Sequence, residues 1–292
     1  MRIYYLENAD HGQNIYSQYG EDGLISKIAA DLNISMKIAM EFGAWDGKHF
    51  SNTFAKVDNF KTLILVEGDP VKYEILKETA GDFAQIIPVL AFVEPTGQTS
   101  VDAILEKNQV EELDLLSVDI DGGDLAIVEE LSVRPRILIV EFNGTFGALT
   151  QYKNETGKSV GSSFLAFYNL MAARNYSLVA MTTTNLLFVD DEIIEREGYT
   201  PLRFSNLSLL TQIDSNMFKI ACGYDGTRLS FGRANHPWDG SKLAKVYSYP
   251  QWAYGWEPTY LQLAYRLLRT QSITEIIKGI KKARNKGWFT SR

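Results

Sequence analysis

The chain of 292 residues has a single cysteine, Cys222, and three histidines, His11, His49 and His236. One cysteine excludes an intrachain disulfide and a thiolate zinc cluster, and it fits a reducing cytoplasm. Long apolar runs are also missing. The longest aliphatic stretches, Leu63 to Val66 and Ile137 to Val140, hold four residues each, against the roughly 20 that a membrane-spanning helix needs. The opening MRIYYLENADHGQ carries Glu7, Asp10 and His11 where a secretory leader needs apolar residues, so export by that route is not expected. Basic charge is scarce outside the tail. The net charge is −7, yet from Glu257 onward eight basic residues face two acidic ones, which puts +6 on the tail and −13 on the remainder. An acidic body is a poor nucleic-acid surface, whereas the tail remains open as an anion or membrane-surface contact.

What is present is an ordinary globular balance, 45% hydrophobic and 22% charged, enough for a sizeable core. Helical spacing marks Glu21 to Leu32, and short apolar runs then alternate with helix-like segments. Strands are predicted at Lys37 to Phe42, Thr62 to Glu67, Gln85 to Ala91, Leu113 to Asp119 and Arg136 to Phe142. Helices fall between them near Ser51 to Val57, Val71 to Thr79, Ser100 to Glu106 and Asp124 to Leu131. Continuous aliphatic strands are those buried on both faces, so the pattern is an α/β doubly wound, Rossmann-like sheet, mostly parallel. After a polar, Gly-rich stretch and a helix at Ser162 to Arg174, a strand at Tyr176 to Met181 is followed four residues later by Leu186 to Val189. So short a connection makes a hairpin, and the last strand is expected to be antiparallel. A core over residues 1–190 and an extension over 191–292 follow. The extension is read as a helix at Asp191 to Arg196, a strand at Phe218 to Cys222, a loop from Gly223 to Pro258 and two terminal helices, Glu257 to Leu268 and Ser272 to Ala283.

Ligands of open parallel sheets bind beyond the carboxyl ends of the strands. The first such end reads EFGAWDGKH. Gly43 and Gly47 make a tight turn, but Trp45 stands where a dinucleotide fingerprint needs its second glycine, so a nicotinamide or flavin pyrophosphate fits poorly. A turn flanked by Glu41 and Asp46 suits a ligand with a cationic amino group and no phosphate. The second end reads LILVEGDP, with Glu67 twenty residues beyond Gly47, the separation at which a carboxylate meets a ribose diol.

The order EFGAWDG, LILVEGDP, LLSVDIDGGD, ILIVEFN and the terminal TTTNLLFV resembles a class I S-adenosylmethionine-dependent methyltransferase, and is most similar to the FkbM-like group associated with glycan and natural-product clusters. The upstream SQYGEDGLI, Ser17 to Ile25, is also similar to the segment that precedes the first strand in that group. The likeness covers about Ser17 to Val189. It implies a seven-stranded sheet, with Gly43 and Gly47 lining the methionine part of S-adenosylmethionine and Gln18, Glu41, Asp46 and Asp119 also among the cofactor-binding residues. It further implies Glu67 and Gly68 at the ribose, and Ala91 and Phe92 beside the adenine. The polar residue that ordinarily reads the adenine amino group has no counterpart in LAFVEPTG.

The fourth strand ends in SVDIDGGD and the fifth in VEFNG. Asp119, Asp121, Glu141 and Asn143 thus converge, with Asp124 nearby, and clustered oxygen ligands suit Mg²⁺ or Mn²⁺. The arrangement resembles the divalent-ion site of catechol O-methyltransferase, although Glu141 and Asn143 are not adjacent. The other reading of Asp121 and Asp124 is capping of the helix that follows. Methyl transfer to oxygen needs an aligned and deprotonated hydroxyl. Asp119, His49 and Lys48 are the candidate catalytic residues, His49 as base. For the acceptor, Trp238, Tyr247, Tyr249, Trp252, Tyr254 and Trp256 crowd into nineteen residues. Such rings either stack on a saccharide or another small hydroxyl acceptor, or form the core of a capping subdomain. Lys158, Ser162 and Ser163 are expected on the acceptor side. Ile273, Ile276, Ile277 and Ile280 recur at helical spacing among the tail lysines, which fits a peripheral membrane helix or a last helix packed on the core. Two further classes stay open: a nicotinamide oxidoreductase, disfavoured by Trp45, and a non-catalytic scaffold that keeps the fold.

Overall fold

The computed structural model describes residues 11–155 and 157–203 with their side chains, and the backbone of three short strands beyond them. The chain divides into two compact units, residues 1–217 and 218–292. In the first, the strands are β1 (Ile38–Phe42), β2 (Thr62–Glu67), β3 (Ile86–Leu90), β4 (Leu115–Val118), β5 (Ile137–Glu141), β6 (Tyr176–Met181) and β7 (Asn185–Asp190). The helices are α1 (Glu21–Asp31), α2 (Pro70–Gly81), α3 (Val101–Lys107), α4 (Asp124–Glu130), α5 (Phe164–Ala173) and α6 (Asp191–Arg196). The seven strands form one sheet in the order β3-β2-β1-β4-β5-β7-β6. The first five are parallel, and β7 runs antiparallel to both β5 and β6. Pro88 in β3 cannot donate to a ladder, and it is tolerated because β3 is an edge strand.

Two hydrophobic clusters cover the two faces, and alternation along each strand divides its residues between them. Met40, Phe42, Leu116, Val118, Leu138 and Val140 join residues of α3, α4 and α5. Ala39, Leu63, Leu65, Leu115, Ile137, Ile139, Leu187 and Val189 join residues of α1, α2 and α6. The same alternation sends Glu41, Glu67, Glu141 and Asn185 to the second face, the one α1 and α2 cover. Each lies two residues along its strand from a member of that cluster.

The structure departs from the sequence reading in three places. The expected helix at Ser51 to Val57 is a 3₁₀ segment at Phe54–Asn59 with a kink at Lys56. Its entry residues are taken up instead by a carboxylate on β1. The boundary expected after residue 190 falls after 217, because the chain beyond α6 is still tied to β6. The Leu202 N–H donates to the Ser177 hydroxyl at 2.8 Å, and Arg203 pairs with Asp191. In the second unit, β8 (Lys219–Cys222) pairs antiparallel with β9 (Arg228–Phe231), and β9 pairs with β10 (Tyr247–Tyr249). Two strands therefore occupy what reads as a loop. The two terminal helices, most of the aromatic-rich stretch, His236 and the basic tail lie outside the described residues. Among the described residues no helix is long and apolar enough to cross a membrane.

Candidate functional site

The turn after β1 is braced by its own polar groups. The Gly47 N–H donates to the Ala44 carbonyl at 2.6 Å. Asp46 accepts the N–H groups of Lys48 and His49 at 2.9 and 2.6 Å, so it holds the turn. Gly43 and Gly47 both take positive φ, 69° and 81°. A Cβ on Gly43 would overlap the carbonyl oxygen of Asp119, which places this glycine at the exposed junction of β1 and β4. A Cβ on Gly47 would instead meet Leu76 at 2.8 Å and Leu65 at 3.2 Å. Gly47 is buried against α2 and β2, and its role is packing.

Glu67 is buried, and both of its oxygens accept backbone N–H groups at 2.8 Å, one from Trp45 and one from Asp69. It therefore ties the ends of β1 and β2 together. Each carboxylate oxygen keeps a free lone pair, so the two can still receive the hydroxyls of a ribose. Gly68, Ala91 and Phe92 gather beside it. The Ala91 N–H donates to the Glu67 carbonyl at 3.0 Å, a Cβ on Gly68 would touch the Phe92 ring at 3.4 Å, and Phe92 is 81% exposed. An open aromatic ring beside a glycine and a buried carboxylate is a surface on which a nucleoside base can stack. Glu67→Ala is expected to weaken binding of S-adenosylhomocysteine by about 1–3 kcal/mol, since two charge-assisted hydrogen bonds vanish. An unchanged dissociation constant in calorimetry would remove the ribose assignment.

Several expected site residues are used differently. Glu41, expected to face the cofactor, is only 4% exposed. Its carboxylate accepts the Ser51 hydroxyl at 2.7 Å, the Asn52 N–H at 2.8 Å and the Thr53 hydroxyl. Burial pushes its pKa up against those donors, and its acceptor capacity serves the loop that folds back over β1. Lys48 and His49 pack on different aromatic rings. The Lys48 ammonium lies over the rings of Phe54 and Phe83, 5.5 and 6.0 Å from their centroids. The exposed His49 ring packs between Trp45 and Phe50 at 4.8 and 3.9 Å. Gln18 is half-buried in a loop organised by Asp22, whose Oδ2 accepts the N–H groups of Ile15, Tyr16 and Ser17 at 2.8, 2.8 and 2.9 Å.

The acidic cluster is real but differently composed. Asp119, Asp121 and Glu141 each bring a carboxylate oxygen within 4.8 Å of the others. Val118 pairs with Val140 in the β4–β5 ladder, so Asp119 and Glu141 stand side by side one level further on, and they share a hydrogen bond. Asp121 joins them from a turn with positive φ, 57°. Burial first, and then the neighbouring carboxylates, push Glu141 up to about 9 and Asp119 up to about 7. Asn143 does not join. Its Oδ1 accepts the N–H and hydroxyl of Thr145 at 2.9 and 2.6 Å, and its Nδ2 donates to the Val160 carbonyl at 2.6 Å. Asp124, pushed up to about 6 mainly by burial, accepts the N–H groups of Ile120 and Gly122 at 2.9 Å and braces the turn into α4. Ser162 and Ser163 likewise hold backbone, accepting the N–H groups of Asn154 and Tyr152 at 3.0 and 2.9 Å.

Residues 84–178 match the Methyltransferase FkbM domain. Among solved structures, the chain is similar to an S-adenosylmethionine-dependent methyltransferase from Clostridium acetobutylicum, with 8% identity over 59% of this chain and 92% of that one, and a TM-score of 0.40. It is also similar to the methyltransferase domain of a bacterial Hen1, with 15% identity over 58% and 98% of the two chains and a TM-score of 0.38. A third likeness is to M. capricolum TrmK in complex with S-adenosylhomocysteine, with 10% identity over 63% and 73% and a TM-score of 0.37. No curated protein matches the sequence. The matched stretch runs from β3 into β6 of the seven-stranded sheet, whose order is β3-β2-β1-β4-β5-β7-β6 with an antiparallel seventh strand.

Proposed function

We propose that the protein methylates a hydroxyl of a saccharide or glycan precursor, with a Mg²⁺ or Mn²⁺ ion held by Asp119, Asp121 and Glu141. The observation that carries the metal reading is the three converging carboxylates, which form no ion pair with a lysine or arginine among the described residues. Hard, closely spaced oxygens of that kind repel one another unless protons or a divalent cation lie between them. The saccharide reading is supported by the FkbM match and by the exposed rings of Trp45, Phe50 and Phe92 near the strand ends, flat surfaces on which a sugar face can stack.

S-adenosylmethionine supplies a methyl group activated by its sulfonium. Glu67 holds the ribose and Gly43 leaves the backbone open at the β1–β4 junction. The carboxylates at the ends of β4 and β5 then orient the acceptor hydroxyl for in-line attack. Asp119, Asp121 and Glu141 would hold a cation there, and it would supply a lowered pKa for that hydroxyl. A second reading follows from the hydrogen bond shared by Asp119 and Glu141: without a cation, Asp119, pushed up to about 7, is itself matched to take the hydroxyl proton near neutral pH. One experiment separates the two. With tritiated S-adenosylmethionine and a panel of sugar acceptors, the metal reading expects EDTA to abolish transfer, Mn²⁺ to restore it and S-adenosylhomocysteine binding to survive. Full activity in EDTA would assign the proton to Asp119.

The basic tail is compatible with contact at an anionic membrane carrying a lipid-linked acceptor. Salt-sensitive flotation with anionic liposomes, lost on truncation after Ile277, is the expected outcome of that reading.

A further inference from the structure

The turn that follows β1 holds two large rings on a strained backbone. Among the described residues, those other than glycine that take positive φ are Asn33, Trp45, Phe50, Gln109, Asp121 and Asn175. Asn and Asp tolerate that conformation, whereas a bulky aromatic side chain there is strained. Trp45, at φ 48°, and Phe50, at φ 57°, are the aromatic members, and both belong to this one turn. Burial does not offset the strain. Trp45 is 40% exposed and Phe50 50%, so each ring also forgoes part of the gain a covered ring would have. Stability alone would place Asn or Gly at both positions. Strain that the fold leaves unrelieved collects at ligand-binding sites.

The two rings are parts of one strip. The exposed His49 ring stands between them, its centroid 4.8 Å from that of Trp45 and 3.9 Å from that of Phe50. The Lys72 ammonium lies over the Trp45 ring, 4.9 Å from its centroid. It forms no ion pair among the described residues, so its donors remain available at the rim. Flat apolar faces bordered by N–H donors match a sugar, whose C–H face stacks while its hydroxyls bond.

The strip also stands apart from the carboxylate cluster. It follows β1, and the Trp45 N–H donates to Glu67 at the end of β2, whereas Asp119 follows β4 and Glu141 ends β5. In the order β2-β1-β4-β5, the strip lies at the β1–β2 side and the cluster at the β4–β5 side. With strands about 4.8 Å apart, that separation is wider than one sugar ring.

We infer that Trp45, His49 and Phe50 form a second acceptor subsite, and that the acceptor is a glycan of two or more units. One unit presents its hydroxyl at the carboxylates and a neighbouring unit stacks on the strip. This rests on the saccharide reading proposed above and adds the size of the acceptor to it.

The test uses the full chain saturated with S-adenosylhomocysteine and an array of mono- and oligosaccharides. Calorimetry then compares the best oligosaccharide with its own monosaccharide. Trp45→Asn and Phe50→Asn each delete a ring at a φ that Asn adopts readily, and the main-chain N–H that braces Glu67 is kept. Each variant is expected to bind the oligosaccharide about twofold to tenfold more weakly, the equivalent of one lost aromatic stack, with monosaccharide and S-adenosylhomocysteine affinities unchanged. The melting temperature should rise in Phe50→Asn, and rise less in Trp45→Asn, where the Lys72 contact is lost as well. A lower melting temperature in either variant would assign the rings to the fold and overturn the subsite. So would an unchanged oligosaccharide affinity, an equal weakening of both saccharides, or a wild-type chain that binds the two equally well. A wild-type chain that binds S-adenosylhomocysteine but no saccharide on the array would overturn the saccharide reading itself.

Discussion

Replacing Glu141 with Gln is expected to stabilise the fold at pH 8 in EDTA while abolishing methyl transfer. Glu141 is pushed up to about 9, first by burial and then by the charges of Asp119, Asp124 and Asp121. Its folded-state pKa lies above its unfolded value of about 4.5, so between the two the native state binds more protons than the unfolded chain. Its contribution to stability is complete below pH 4.5 and is lost as the pH climbs toward 9, at up to about 1.4 kcal/mol per pH unit. Asp119, pushed up to about 7, adds to the same slope over the lower part of that window. Gln keeps the shape of Glu141, still donates to Asp119 and carries no charge at any pH. Thermal melts of the two proteins should therefore coincide near pH 4 and diverge steadily toward pH 9, with the variant melting higher. A gap that is constant across the range would mean that the Glu141 carboxyl is solvated and that its elevated pKa is not a property of the fold. Adding Mg²⁺ should narrow the gap at high pH, because a cation favours the ionised wild-type cluster.

Gly43→Ala is expected to cost more than about 3 kcal/mol, because two separate penalties fall on one residue. The backbone there is left-handed, φ 69°, and the new methyl overlaps the Asp119 carbonyl oxygen. A flexible side chain could yield, but a main-chain carbonyl at the end of a central strand cannot move without disturbing the β1–β4 ladder. Binding of S-adenosylhomocysteine should fall with stability, since the same junction opens the backbone to the cofactor. Urea unfolding provides the measurement, and Gly81→Ala the control. Gly81 ends α2, and its Cβ would meet nothing within 4 Å, so a change within about 0.5 kcal/mol is expected there. Equal midpoints for the two variants would show that β1 and β4 are not held as closely as the structure has them.

The division between what is legible in this sequence and what is not follows the range of the interactions. Ile137 to Val140 reads as a buried strand because four consecutive aliphatics can only be covered on both faces, and the short Thr182 to Thr184 connection dictates an antiparallel seventh strand; both signals are local. Glu67 is legible for a related reason, since its distance from Gly47 spans one strand-helix-strand repeat and places it at the neighbouring strand end. Glu41 and Asn143 carry the same kind of signal, being polar at a strand terminus, yet their oxygens are claimed by Ser51, Asn52 and Thr53 in one case and by Thr145 in the other. No spacing rule separates a carboxylate that waits for a ligand from one that closes a loop, because the difference lies in where a few neighbouring N–H and O–H groups point. Glu21 and Asn185 are further from legibility still, since each is an unremarkable polar residue until 164 residues of chain bring them together. By itself, then, the sequence determined the sheet, its winding and the set of residues delivered to the carboxyl ends of its strands, because periodicity and strand length are set residue by residue. Only the tertiary structure decided that Glu41, Glu67, Asp119, Glu141 and Asn185 share the face under α1 and α2, and which of them keep lone pairs free. That outcome depends on long-range register and on the competition of buried donors for a small number of acceptors.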